Sequence, residues 1–219
     1  MQKNSNKKHK EATNLTELYK SILGQVDSKG EIIDLNAYLS NFVNALALMF
    51  GNLEQKKIEI TYVSQADATP VRISEDHLSI ALLNVILNSC MAQSGIDEKI
   101  EIKVSLKATA KNAIVTIMDN GYGIPKSELS RVFLPFTQGE DDTKKMGVGL
   151  NVVQAVLKNY GASCIVMSDE GEGANVSFKF PIVKPDETLK LRTHFGSYIS
   201  DRLSFINIYL ADIFDGNLR

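Results

Sequence analysis

Apolar residues recur along this chain with two periods, and the switches between them divide it into elements. Leu15, Leu18, Tyr19, Ile22 and Val26 step by three or four behind Asn14 and Glu17, which are spaced as a capping box, until Asp27-Ser28-Lys29-Gly30 ends the pattern. A second helix is predicted from about Leu35, with Leu39, Phe42, Val43, Leu46 and Phe50 on one stripe and Gly51-Asn52 at its end. Residues 57–63 and 71–73 alternate instead, as short strands do, across a turn-rich stretch. Ser74 is placed as the N-cap of a third helix running to about Gln93, with Leu78, Leu82, Leu83, Ile86 and Leu87 on a wide apolar face. Strands are predicted at 100–106 and 113–118, a short helical stretch at 127–132, a helix at about 150–159, and two last strands at 163–167 and 175–180. Phe195, Ile199, Leu203, Ile206, Leu210 and Ile213 then mark a final amphipathic helix. Helices set apart from strands that mostly adjoin one another predict an α+β fold, a mixed sheet covered on one face by helices.

Composition narrows the class. With 219 residues, 44% apolar and 23% charged, the chain suits one domain or one domain with a helical appendage, neither disordered nor membrane-embedded. Its 24 basic and 26 acidic side chains leave a net charge of −2, which argues against nucleic-acid binding, where phosphate contacts need clustered Lys and Arg. Cys90 and Cys164 lack metal-ligand spacing and read as small core residues of a reducing compartment. The basic first ten residues lead into no apolar segment, and the longest apolar run, 45–50, is far short of the roughly 20 residues a spanning helix needs. A cytosolic chain without membrane contact is expected, unless Met1 begins a fragment of something larger.

Several local patterns carry chemistry, and each has a plain alternative. Asn84 and Asn88, four apart on a helix, share one face; such a pair alone is usually solvated. Asp119-Asn120-Gly121 at a strand end is usually a turn. Gly147-Val148-Gly149 before a helix is either a phosphate-cradling N-terminus or a flexible loop. The chain has no G-x-x-x-x-G-K-[ST] loop and no H-R-D catalytic loop, and residues 147–152 miss the last glycine of the dinucleotide fingerprint.

The order of the pieces is more telling. Asn84-Val-Ile-Leu-Asn88, Asp119-Asn-Gly-Tyr-Gly-Ile-Pro125, Phe133-Leu-Pro-Phe136, Gly147-Val-Gly-Leu150 and Gly171-Glu-Gly173 follow one another as in the ATP-binding domain of the GHKL superfamily, which joins sensor histidine kinases, gyrases, chaperones and mismatch-repair ATPases. The segment Phe133 to Phe136 resembles the histidine-kinase branch. The resemblance covers about residues 31–183 and implies a two-layer α/β sandwich, with residues 1–30 like the end of a dimerisation hairpin and 184–219 a helical extension. It implies that Asn88 offers its amide oxygen to Mg²⁺ bridging the ATP phosphates, and that Asp119 accepts a hydrogen bond from the adenine amine. Gly121 and Gly123 would let backbone approach the base, and Gly171 and Gly173 would form the turn beside it. Phe133 and Phe136 would anchor a lid over 137–146, with Gly147, Gly149 and Leu150 on its phosphate side. Lys144 and Lys145 are candidates to reach the phosphates, or a solvated pair.

Departures from the family pattern shape the expected activity. Gyrase-like members carry a Glu general base at the place of Asn84; an amide takes no proton, so transfer to another acceptor is favoured over hydrolysis. Met91 stands where many kinases carry a basic residue, Ala174 where a Thr is common, and Asn151 where a small residue is frequent. The acceptor His of such kinases sits in an H-E-x-R-T-P pattern, which His9, His77 and His194 all lack. The helix over 15–26 and Ile32-Ile33-Asp34-Leu35 look like the end of the acceptor hairpin and the connector after it. The expectation is the catalytic part of a two-component sensor histidine kinase, with its acceptor hairpin outside this chain, a response regulator as partner and a possible homodimer through the helical extensions. A stand-alone protein serine kinase like the anti-sigma regulators, and an ATP-gated interaction module without chemistry, are the alternatives.

Overall fold

A computed structural model describes residues 31–51, 57–92, 99–134 and 149–184. In chain order these form β1 (Glu31–Asp34), α1 (Leu35–Gly51), β2 (Ile58–Ser64), β3 (Pro70–Ile73), α2 (Glu75–Met91), β4 (Ile100–Ala108), β5 (Asn112–Asp119), α3 (Lys126–Leu129), α4 (Gly149–Lys158), β6 (Ser163–Ser168) and β7 (Ala174–Pro181). The helices expected at 15–26 and 195–213 lie outside the described residues.

β2, β4, β5, β7 and β6 lie side by side in that order, parallel between β2 and β4 and antiparallel elsewhere. Period-2 alternation gives this mixed sheet its two faces. Ile100, Ile102, Val104 and Leu106 of β4 are buried while Glu101, Lys103 and Lys107 are exposed, and Val115, Ile117, Phe178 and Phe180 continue the buried side. These join Leu39, Phe42 and Leu46 of α1, Leu78, Leu82 and Ile86 of α2, and Val153, Val156 and Leu157 of α4 in one core. Each such side chain contributes about 1.5–3 kcal/mol by leaving water.

α2 is buried on nearly every side and not only on the predicted stripe. It is the central helix, and it carries the asparagines to the inside of the molecule. Ser74 holds the N-cap position with extended backbone (φ −71°, ψ 137°), but its side chain makes no capping bond. Glu75 and Asp76 in the first turn complement the helix dipole instead. His77, 2% exposed, meets the Tyr160 hydroxyl through Nδ1 at 2.7 Å and ties the start of α2 to the chain just after α4. A buried, engaged imidazole is a poor phosphoryl acceptor; His9 and His194 lie outside the described residues.

Residues 32–34, which read from sequence as a connector, are a strand. β1 pairs antiparallel with β3, Ile33 opposite Val71, and Asp34 caps α1: its Oδ1 accepts from the backbone N–H of Asn36 and of Thr69, both at 3.0 Å. Ile32, Ile33 and Asp34 are buried in succession, so no alternation announced the strand.

Both cysteines are buried, as their spacing suggested, and burial pushes the Cys164 thiol up to about 12. The thiolate is the reactive form, so a thiol reagent at pH 8 should label neither cysteine in the native protein and both after denaturation. The sign for stability follows: an unfolded thiol ionises from about pH 9 while the folded one stays protonated, so folding loses stability as pH rises from there to about 12.

Candidate functional site

The site is built around the carboxylate that ends β5. Asp119 Oδ1 accepts from the backbone N–H of Gly121 at 3.0 Å and of Ala174 at 3.1 Å, and Oδ2 accepts from Ser89 Oγ at 2.8 Å. An ionised carboxylate offers about four lone-pair positions, so three are filled by protein and one remains on Oδ2. The following loop is sewn down on both sides. Asn120 accepts from Glu101 N–H and donates to the Lys99 carbonyl, both at 2.9 Å, and Tyr122 N–H donates to the carbonyl of Ala92, the C-cap of α2, at 2.7 Å.

The β6–β7 turn closes the other side. Ser168 Oγ accepts from Ile124 N–H at 2.8 Å and donates to the Gly173 carbonyl at 2.6 Å, while Gly171 N–H donates to the Tyr122 carbonyl at 2.7 Å. The glycines are explained by these approaches. A Cβ on Gly121 would lie 2.5 Å from the Ala92 carbonyl oxygen, and one on Gly123 (φ +72°) 2.1 Å from that of Asp169. Each glycine therefore lets the loop pack closely on neighbouring backbone. Gly173 is likewise packed against Asp119, whereas Gly171 needs only its positive φ of +83°.

A second cluster lies one turn of α2 away. Asn84, 4% exposed, donates through Nδ2 to the Ile80 carbonyl at 2.8 Å, and Asn88 is exposed. Gly149, the first residue of α4, packs against both: its Cβ position is 3.1 Å from Asn84 Oδ1 and 3.6 Å from Asn88 Nδ2. Ser89, next to Asn88 in sequence, joins the two clusters through Asp119. Neither Ser89 nor Ser168 was singled out from sequence. For Ser89, a serine inside an apolar helix stretch was the available signal.

Phe133 and Leu150 are partly buried against the core, and the Phe133 carbonyl accepts from Asn151 Nδ2 at 3.0 Å. Phe136, Lys144, Lys145 and Gly147 lie outside the described residues. Of the remaining predicted site residues, the fold gathers Asn84, Asn88 and Gly149 on one side and Asp119, Gly121, Gly123, Gly171 and Gly173 on the other. Met91 is half-buried at the end of α2, and Ala174 contributes its backbone N–H to the site.

Residues 73–184, just over half the chain, match the family model of histidine kinase-, DNA gyrase B- and HSP90-like ATPases. The chain belongs to this ATPase family. Sporulation kinase D of Bacillus subtilis is 31% identical over 134 residues, 60% of this chain and 25% of that protein. The sensor histidine kinase ZraS of Salmonella typhimurium is 28% identical over 155 residues, 70% of this chain and 31% of that one. The chain thus spans about a quarter to a third of the length of these relatives. Among solved structures, the mycobacterial sensor histidine kinase MprB superposes with a TM-score of 0.55 at 21% identity, over 71% of this chain and 99% of that one. Full-length ShkA in complex with AMPPNP gives 0.61 at 21%, over 77% and 35%. These likenesses show a shared fold, that of histidine-kinase catalytic domains within the ATPase family. Membership implies that the domain binds ATP, and among the described residues no helix is long and apolar enough to cross a membrane.

Proposed function

We propose that this chain is the cytoplasmic catalytic portion of a two-component sensor histidine kinase, with residues 31–183 as its ATP-binding domain. The observation that carries this reading is the Asp119 carboxylate, immobilised by three donors with one acceptor position left, near an exposed Asn88 against which Gly149 packs. In this reading the free position on Asp119 Oδ2 accepts from the exocyclic amine of adenine. A charge-assisted contact of this kind contributes about 1.5–3 kcal/mol.

Asn88 suits Mg²⁺. Its amide meets no hydrogen-bond partner among the described residues, and no cluster of three or more His, Cys, Asp or Glu stands there to form a protein cage. A hard ion that keeps its waters and takes one amide oxygen together with substrate phosphates fits that donor set. When bound, the ion supplies charge neutralisation on the phosphates. Asn84 has its Nδ2 engaged by Ile80 and cannot act as a base, so attack by water is not promoted; its part is to seat α4. The γ-phosphoryl group then leaves ADP for an imidazole nitrogen of a His on a separate helical hairpin: the bridging P–O bond breaks, an N–P bond forms, and ADP keeps the electron pair. A response regulator would take the group onward.

The test pairs binding with transfer. Wild type is expected to bind ATP in a Mg²⁺-dependent manner and to label a separately supplied histidine hairpin. Asn88→Ala is expected to lose at least tenfold in affinity and to become indifferent to a chelator, with its unfolding midpoint unchanged because the side chain is exposed. Failure of the wild type to bind nucleotide overturns the proposal. Binding without transfer to any acceptor favours the interaction module, and transfer to a protein serine favours the regulator-type kinase.

A further inference from the structure

Asn151 is the third residue of α4, where an asparagine side chain ordinarily bonds to nearby backbone. Here its Nδ2 instead donates to the Phe133 carbonyl, eighteen positions earlier, at 3.0 Å. Phe133 is itself seated on the core, as is Leu150 beside Asn151. On its other flank the same turn of α4 presses on α2, where the Gly149 Cβ position lies 3.1 Å from Asn84 Oδ1 and 3.6 Å from Asn88 Nδ2. The first turn of α4 is therefore held between a core-anchored carbonyl and the two site asparagines.

We propose that Asn151 is a positioning residue for the phosphate side of the site: by donating to the Phe133 carbonyl it fixes the first turn of α4 against Asn84 and Asn88. It touches no nucleotide. Its effect reaches ATP through where Gly149 and Asn88 stand, and the inference rests on the proposed ATP reading of that site. The adenine side has its own anchors, the contacts of Asp119 with Ser89, Gly121 and Ala174, and Asn151 makes none of them.

Two substitutions and three readouts, nucleotide affinity, amide exchange and the unfolding midpoint, test the idea. Asn151→Leu keeps the branched heavy-atom shape and removes the donor, and Asn151→Ala removes both. Each is expected to weaken Mg·ATP binding about three- to tenfold, the loss of one hydrogen bond, while adenosine affinity stays within twofold. Exchange of the amides of residues 153–155, whose N–H groups bond to the carbonyls of that first turn, is expected to speed up about tenfold in the nucleotide-free protein. Equal losses for ATP and adenosine with a lowered unfolding midpoint would make Asn151 a merely structural residue, and unchanged exchange and affinity would remove the role altogether. If wild type binds no nucleotide, the ATP reading fails; the exchange measurement then still decides whether Asn151 holds the turn.

Discussion

Gly173→Ala is expected to abolish nucleotide binding and to lower stability by about 3 kcal/mol or more, read from urea unfolding. A Cβ there would lie 2.0 Å from the Asp119 carbonyl oxygen, 2.9 Å from its carbon and 3.2 Å from Asn120 Cα, all backbone atoms that no side-chain rotation can move aside. The residue also sits at φ +72°, where an L side chain adds about 1–2 kcal/mol. Relieving the clash means separating the β6–β7 turn from the end of β5, and Ala174 N–H and Ser168 Oγ would leave their partners with it. Gly171→Ala is the matched control. Its φ is +83°, but nothing lies within 4 Å of the added methyl, so the cost should stay near 1 kcal/mol and ATP binding should survive. If both variants bind alike, the close approach at Gly173 is not what organises the site.

Asp119 separates two roles that one side chain combines. Asp119→Ala leaves Gly121 N–H, Ala174 N–H and Ser89 Oγ without their acceptor, and should cost about 2–4 kcal/mol of stability together with all measurable ATP affinity. Asp119→Asn can keep Oδ1 on the two backbone donors, and the Ser89 hydroxyl can turn to accept from the new Nδ2. That variant should unfold within about 1 kcal/mol of wild type yet bind ATP at least tenfold more weakly, because an amide nitrogen now faces the adenine amine. Calorimetric titration beside urea unfolding distinguishes the cases. Unaltered affinity in Asp119→Asn would take adenine recognition away from this carboxylate.

The elements that could be read from sequence were those with enough turns or alternations to show their period. α1 and α2 begin at or next to the predicted residues, and β4, β5, β6 and β7 lie within one or two of the predicted ends. β1 escaped because its four residues are buried almost throughout and its partner is about forty residues away. Asn88 and Asp119 were legible as members of an ordered series of boxes. The packing partners of Gly121 and Gly123 were not legible: glycine signals a close approach without saying to what, and the atoms that a Cβ would meet belong to Ala92 and Asp169.

The sequence by itself determined the α+β class, the helix that carries both asparagines, the strand that ends in Asp119 and the family to which these belong. The first three depend on periodicity and on residues near one another in the chain, and the family on the order of short motifs along it. Only the tertiary structure decided that β2 runs parallel to β4, that Ser89 and Ala174 fix the Asp119 carboxylate, and that Asn151 ties α4 to Phe133. Each of those is a contact between residues 18 to 55 positions apart, or a pairing of strands about forty apart. No local propensity encodes such contacts; they follow from how amphipathic helices must stack on a twisted sheet to exclude water from a shared core.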